Sequence, residues 1–271
     1  MSIFTEGKVL KNQLMERIKD ILVGAGWTYE TTDPTTEYYI LTSTGESGDK
    51  KLAFQYRGLP VNGSVTGDIN TTTAVVASYR LIGGYENGTI ARPSEAWKSM
   101  NISSAVVDPE VELTYWYTVN KDRLIMNIYT PESLANTPVL WYFGLPTTFT
   151  PEPDGKGFVA MTSYASSQAS VLVTDNVAEL PTSASSVVLT NYIALAPKSP
   201  NSSGVHTPAE LLYGNTSIGI RGKIDSLYFL PNGSVNDGDI LRVGARRYRA
   251  TQLGTSSNNS FPSPTVVYQI S

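Results

Sequence analysis

Apolar positions recur with two different periods along this chain, and the change of period divides it. Near the start, Leu10, Leu14, Ile18, Ile21 and Leu22 are spaced at steps of four, four, three and one, while Lys11, Glu16, Lys19 and Asp20 occupy other faces. That spacing lines one side of an α-helix. Gly24 and Gly26 supply the stop, because glycine accepts the left-handed conformation that ends helices. The pattern predicts a helix over residues 6–23, with its apolar side covering a sheet.

Beyond Gly26 the period is two. Trp27-Thr28-Tyr29-Glu30 reads as the first strand, then residues 38–42 and 52–56 around a polar turn at Thr44 to Asp49. Further strands are predicted at 74–82, 111–119, 123–129, 138–143, 157–162, 187–196, 218–230, 239–243, 246–252 and 265–270. All are rich in Val, Ile, Tyr and Thr, which suit a pleated, half-buried surface. Two hairpins stand out. In one, Asn120-Lys121-Asp122 joins Glu112–Val119 to Arg123–Tyr129. In the other, Gly244-Ala245 joins Asp239–Val243 to Arg246–Thr251, and a two-residue loop opening on Gly suits a type II′ turn.

Polar, Pro-rich stretches separate these runs. Pro146 to Gly157 reads as an irregular loop, and residues 197–210 as a long connection. The second suggests a division into residues 1–200, a helix plus β-rich body, and residues 201–271, a C-terminal β module; one domain with a long loop fits equally. The expected class is α+β, mostly β: an N-terminal amphipathic helix packed on an antiparallel sheet, further β-hairpins and the C-terminal module.

Composition narrows the functions available. The chain has 271 residues, no Cys and a single His, which excludes disulfides, thiolate chemistry and Cys/His zinc sites. Charged residues are 16% of the total, against about 25% in ordinary domains. Ser and Thr together number 57, and Tyr, at 16, is the leading aromatic. The net charge of −4 gives no general pull on nucleic acid, which is not an expected partner. No stretch approaches 18 apolar residues, so no membrane span is expected. The first residues lack the charged and apolar regions of a signal peptide, which points to synthesis in a cytoplasm.

Candidate chemistry is sparse. No G-x-S-x-G elbow occurs, and His206 lies in a Ser/Pro/Gly-rich loop, where a lone His is ordinarily solvated. Asp108, Glu110 and Glu112 alternate, which in an extended segment puts three carboxylates on one face, about 7 Å apart. Pro109 favours instead a solvated start to a strand. Asn232 to Asp239 is oxygen-rich but lacks the spacing of a calcium loop, and reads better as a turn. Gly219 to Ile224 resembles a phosphate loop only superficially, since no Ser or Thr comes after Lys223. No catalytic residue, cofactor or metal site is expected.

Contact residues are the stronger signal. Tyr115 and Tyr117 alternate with Trp116, and Trp141-Tyr142-Phe143 repeats the situation. Strands with large groups on both faces need cover on both sides, from a helix, a second sheet or another chain. Arg242, Arg246, Arg247 and Arg249, with Tyr248, cluster on the second hairpin, and Arg and Tyr are enriched in interfaces. The candidate subunit interface is therefore Tyr115, Trp116, Tyr117, Trp141, Tyr142, Arg242, Arg246, Arg247, Tyr248 and Arg249.

Several of these runs carry a resemblance. Trp116 to Tyr129, an aromatic strand ending in Asn, a short basic turn and an apolar strand, resembles a segment of structural proteins of tailed-phage particles. Leu134 to Pro153, with Trp141-Tyr142-Phe143-Gly144-Leu145-Pro146, is similar to the next segment of those proteins. The opening helix, Gly-Trp and strand fit as well, and Gly238 to Tyr248 looks like a hairpin module of phage tail and neck proteins. The turn departs from the family: Asp122 sits between Lys121 and Arg123, making it less basic. The resemblance implies a non-enzymatic virion component of the neck, collar, tail or baseplate. It would occur in several copies as a ring, contacting itself and neighbouring virion proteins, with no active-site residues. Two other classes stay open. A receptor- or carbohydrate-binding, tail-fibre-like β protein would use exposed aromatics in a row. A wall-degrading hydrolase would place Glu110 or Glu112 in a cleft with a partner carboxylate.

Overall fold

The computed structural model describes residues 3–30, 38–50, 52–58, 75–82, 84–86, 88–91, 98–101, 108, 110–131, 139–149, 159–163, 169–173, 208–215, 219–230, 235–252 and 265–271. The protein is mostly β, with one short helix near the N-terminus, α1 (Leu14–Gly24). In chain order the first strands are β1 (Ile3–Leu10), β2 (Thr28–Glu30), β3 (Tyr38–Ser43), β4 (Leu52–Gly58), β5 (Val75–Leu81), β6 (Gly84–Glu86), β7 (Thr89–Ala91) and β8 (Lys98–Asn101). The middle strands are β9 (Glu112–Val119), β10 (Arg123–Tyr129), β11 (Val139–Gly144), β12 (Thr147–Thr148), β13 (Val159–Ser163) and β14 (Ala169–Val173). The last are β15 (Ala209–Asn215), β16 (Gly219–Leu230), β17 (Ile240–Val243), β18 (Arg246–Gln252) and β19 (Thr265–Gln269).

Every pairing among the described residues is antiparallel. The central sheet runs β1-β9-β10-β11-β13-β14, and the N-terminal sheet β2-β3-β4-β5-β8. The C-terminal sheet runs β12-β16-β19-β18-β17, with β15 also on β16, and β6 with β7 forms a separate ribbon. Because β12 pairs with β16, Thr147 opposite Lys223, the C-terminal sheet includes a strand from residues 1–200.

The helix is shorter than its sequence pattern predicts. Residues 6–10 belong to β1, and Lys11–Gln13 make a 3₁₀ turn before α1 begins. Two causes are visible. Thr5 and Gly7 are poor helix formers, and β1 gains a full ladder on β9, from Ile3 opposite Val119 to Leu10 opposite Glu112. The remaining apolar face behaves as its spacing requires. Leu14, Ile18, Ile21 and Leu22 are buried in one cluster with Trp27, Leu41, Leu52 and Tyr56 of the N-terminal layer. Each such side chain contributes roughly 1.5–3 kcal/mol. The helix ends in a Schellman motif: Gly26 N–H donates to Val23 O, Trp27 N–H to Leu22 O, and Gly26 has φ 91°.

The same cluster takes in one face of the central sheet, including Leu113, Tyr115, Tyr117, Leu124, Met126, Trp141 and Phe143. The opposite face meets the C-terminal sheet. There Asn127 Nδ2 donates to Thr251 Oγ1 at 2.9 Å, and the Tyr129 hydroxyl to Asp237 Oδ1 at 3.0 Å. The aromatic strands are thus covered on both sides, by helix and N-terminal sheet on one and by the C-terminal sheet on the other.

Both predicted hairpins form with the expected loops. In the first, Asn120 Oδ1 accepts from the N–H groups of Asp122 and Arg123, closing the turn. In the second, Gly244 has φ 61° and Ala245 does not share the positive φ, as a type II′ turn requires. The irregular loop expected from Pro146 contains β12, and the connection expected over 197–210 gives way to β15 at Ala209. The strand predicted at 187–196 lies outside the described residues, as does the rest of both stretches between 150 and 157 and between 197 and 207.

Candidate functional site

The ten candidate contact residues separate into three groups. Tyr115, Tyr117, Trp141, Tyr142 and Tyr248 are buried within the chain. This corrects their assignment to a subunit surface: the period-two alternation that made both strand faces aromatic is met by two internal layers. Their polar atoms are used internally too. Tyr115 Oη accepts from Arg17 Nε at 2.6 Å, and the Tyr142 hydroxyl donates to the Leu145 carbonyl at 2.7 Å. Tyr248 packs edge-on against Tyr228, with ring centres 5.5 Å apart.

Trp116 and Arg249 join the layers. Trp116 Nε1 donates to Glu6 Oε2 on the neighbouring strand, and its ring meets Tyr129 edge-on at 4.8 Å. Arg249 stacks on the same indole and donates from Nη1 to the Gly238 carbonyl. Both side chains are half-buried, so they serve the chain's own packing more than a partner's.

Arg242, Arg246 and Arg247 are exposed. They sit on β17 and the start of β18, where Arg242 opposes Arg247 and Val243 opposes Arg246. Alternation puts Ile240, Arg242 and Arg247 on one face, and Val243 and Arg246 on the other. The face of Val243 and Arg246 is anchored by Leu241 against Tyr248, Tyr228 and Leu230. Sequence reasoning misses Ile240 and Val243, which are 42% and 55% exposed. Their signal lies in the flanking residues, since Asp237, Gly238, Asp239, Arg242, Gly244, Arg246 and Arg247 make the surrounding stretch polar.

The carboxylates considered for acid–base work have local roles. Glu112 bridges Lys8 at 2.6 Å on the surface. Asp108 Oδ1 accepts from the Glu110 N–H, and its charge opposes the lowering that burial imposes on the Lys11 pKa. In the turn considered for calcium, Asp239 Oδ2 accepts from the Asn236 N–H and Asp237 accepts from Tyr129. Among the described residues no group of three or more His, Cys, Asp or Glu is placed to hold a metal ion. Gly219 to Ile224 lies within β16, with Lys223 bound to Glu210, which is no phosphate loop. His206 lies outside the described residues. No helix among the described residues is long and apolar enough to cross a membrane.

A buried polar cluster links the central and C-terminal sheets. Asn127, Tyr129 and Thr251 hydrogen-bond to one another beside Tyr268. Burial first, and the Asp237 charge second, push the Tyr129 hydroxyl up to about 12; burial raises Tyr268 further. These phenols stay neutral at physiological pH.

No protein-family model matches the chain, and no curated protein is significantly similar to it.

Proposed function

We propose that this chain is a non-enzymatic structural subunit of a tailed-phage virion, located in the neck, tail or baseplate and present in several copies as a ring. The observation that carries the reading is the C-terminal hairpin, which places three exposed guanidiniums beside two exposed apolar side chains on the edge of a sheet. Such a surface suits contact with another protein, where Arg serves as an anchor and apolar neighbours exclude water. The resemblance of Gly238 to Tyr248 to a tail and neck module points the same way. The local roles of Asp108 and Glu112 favour a contact function over hydrolysis. Mass spectrometry of purified particles from the source, with antibody labelling in negative stain, tests the reading. Detection at the neck, tail or baseplate is expected, and absence from the particle would overturn it.

One observation favours a receptor- or sugar-binding reading. Tyr29, 36% exposed, stands 6.0 Å from Tyr39, which stacks on Tyr56 at 4.8 Å, with Lys19 and Glu16 alongside. Aromatic faces bordered by polar groups suit sugar rings. A glycan array with a Tyr29→Ala control decides it, and no binding by the parent chain removes it.

A further inference from the structure

The outer side of β17 is an open sheet edge. The two-residue loop makes Val243 and Arg246 the closing hydrogen-bonded pair of the hairpin. The bond from Ala250 N–H to Asp239 O fixes the same phase at the other end. Along an antiparallel strand, backbone groups alternate between inward and outward directions. Ile240 and Arg242 therefore turn their N–H and C=O groups away from β18. Among the described residues no strand pairs with that side, and such a row is a template for a strand of another chain.

The side chains select which chain. Among the described residues no Asp or Glu forms an ion pair with Arg242, Arg246 or Arg247. Two copies of this edge would bring like charges together and repel. The rest of the molecule has the opposite sign: residues 240–249 hold four of the 20 basic groups, leaving 16 against 24 acidic residues elsewhere. The hairpin of one copy is thus complementary in charge to the remainder of another. A contact between two different surfaces is heterologous, and repeated with rotation it closes a ring.

We infer that β17 is the docking edge for a second copy of this chain. Its outward backbone groups pair with an extended segment of the neighbour, and Arg242, Arg246 and Arg247 meet the neighbour's carboxylates. This rests on the multi-copy reading above and assigns the surface that makes it. Native mass spectrometry and sedimentation of the purified chain test it. Oligomers are expected at about 0.1 M salt and fewer at about 1 M, where the screening length falls from about 10 Å to about 3 Å. The triple variant R242E/R246E/R247E should raise the dissociation constant roughly 100-fold. Ile240→Pro keeps all charges but removes one outward N–H, a change that edge strands tolerate. With an unchanged circular dichroism spectrum and melting temperature, it should weaken assembly as well. A chain that stays monomeric to about 1 mM, or either variant assembling like the parent, would overturn the proposal. Particle mass spectrometry bears on the virion reading alone, so the two can fail separately.

Discussion

The Arg249 guanidinium stands 4.1 Å from the centre of the Trp116 ring, joining the C-terminal sheet to the central one. A cation over an indole face contributes about 0.5–2 kcal/mol, more as water is excluded. Arg249→Ala should lower stability by about 1–2 kcal/mol in urea unfolding, and Trp116→Ala by about 3 kcal/mol, since it also removes the Tyr129 contact. The exposed Arg247→Ala should change stability by under about 0.5 kcal/mol. Equal effects at Arg247 and Arg249 would show that the stack contributes nothing.

Stability should fall in alkali through Tyr129. Its pKa is raised to about 12 in the folded chain, against about 10 when unfolded. The folded state therefore holds the proton more tightly, and this contribution is complete below about pH 10 and lost as pH rises through about 12. Two pH units correspond to about 2–3 kcal/mol. Tyr129→Phe should flatten part of the stability loss between these values; Tyr268 and Tyr56, also raised, supply the rest. An unchanged profile in the variant would contradict this account.

Two glycines should differ in their tolerance of alanine. A Cβ on Gly7 would lie 2.7 Å from Cζ of Tyr115, its cross-strand partner. That ring can shift, although it would strain the bond to Arg17. A Cβ on Gly144 would lie 2.6 Å from the Asp122 carbonyl and collide with Arg123. Backbone gives way less easily than a side-chain tip. Gly144→Ala should therefore cost more than Gly7→Ala, with both in the range of about 1–3 kcal/mol. Thermal melts of the two variants settle the order.

The acidic positions Glu110 and Glu112, around the start of β9, should be dispensable. Lys8 and Glu112 form an exposed pair, and such pairs contribute about 0–1 kcal/mol. Glu110→Gln with Glu112→Gln should leave melting within a few degrees and leave any biological activity intact. Loss of a hydrolytic activity in that double variant would revive the enzyme reading.

Local chemistry decided which features were legible in the sequence. Asn120-Lys121-Asp122 and Gly244-Ala245 declare their hairpins because turn geometry depends on a few neighbouring residues. The helical face from Leu14 to Leu22 is legible for the same reason, whereas Leu10 fits the helical period yet ends a strand. Its fate depends on Glu112, far along the chain. The pair Thr147-Thr148 is too short for periodicity to mark. For the contact residues, alternation established that Tyr115, Trp116 and Tyr117 need cover on both sides. Whether that cover came from this chain or another depended on pairing between distant segments, which no local pattern carries.

Strands β9 to β11 lie between α1 with the N-terminal sheet on one side and the C-terminal sheet on the other. The hydrogen bond from Asn127 to Thr251 spans 124 residues. During synthesis the first layer is complete long before the second. The face of these strands that carries Asn127 and Tyr129 lacks its hydrogen bonds to Thr251 and Asp237 until those residues have emerged from the ribosome. Long-range closure of this kind is slow, and an exposed apolar sheet face invites aggregation meanwhile. The vulnerable species is a chain whose central sheet has formed before the strands of residues 209–269 are available to cover it.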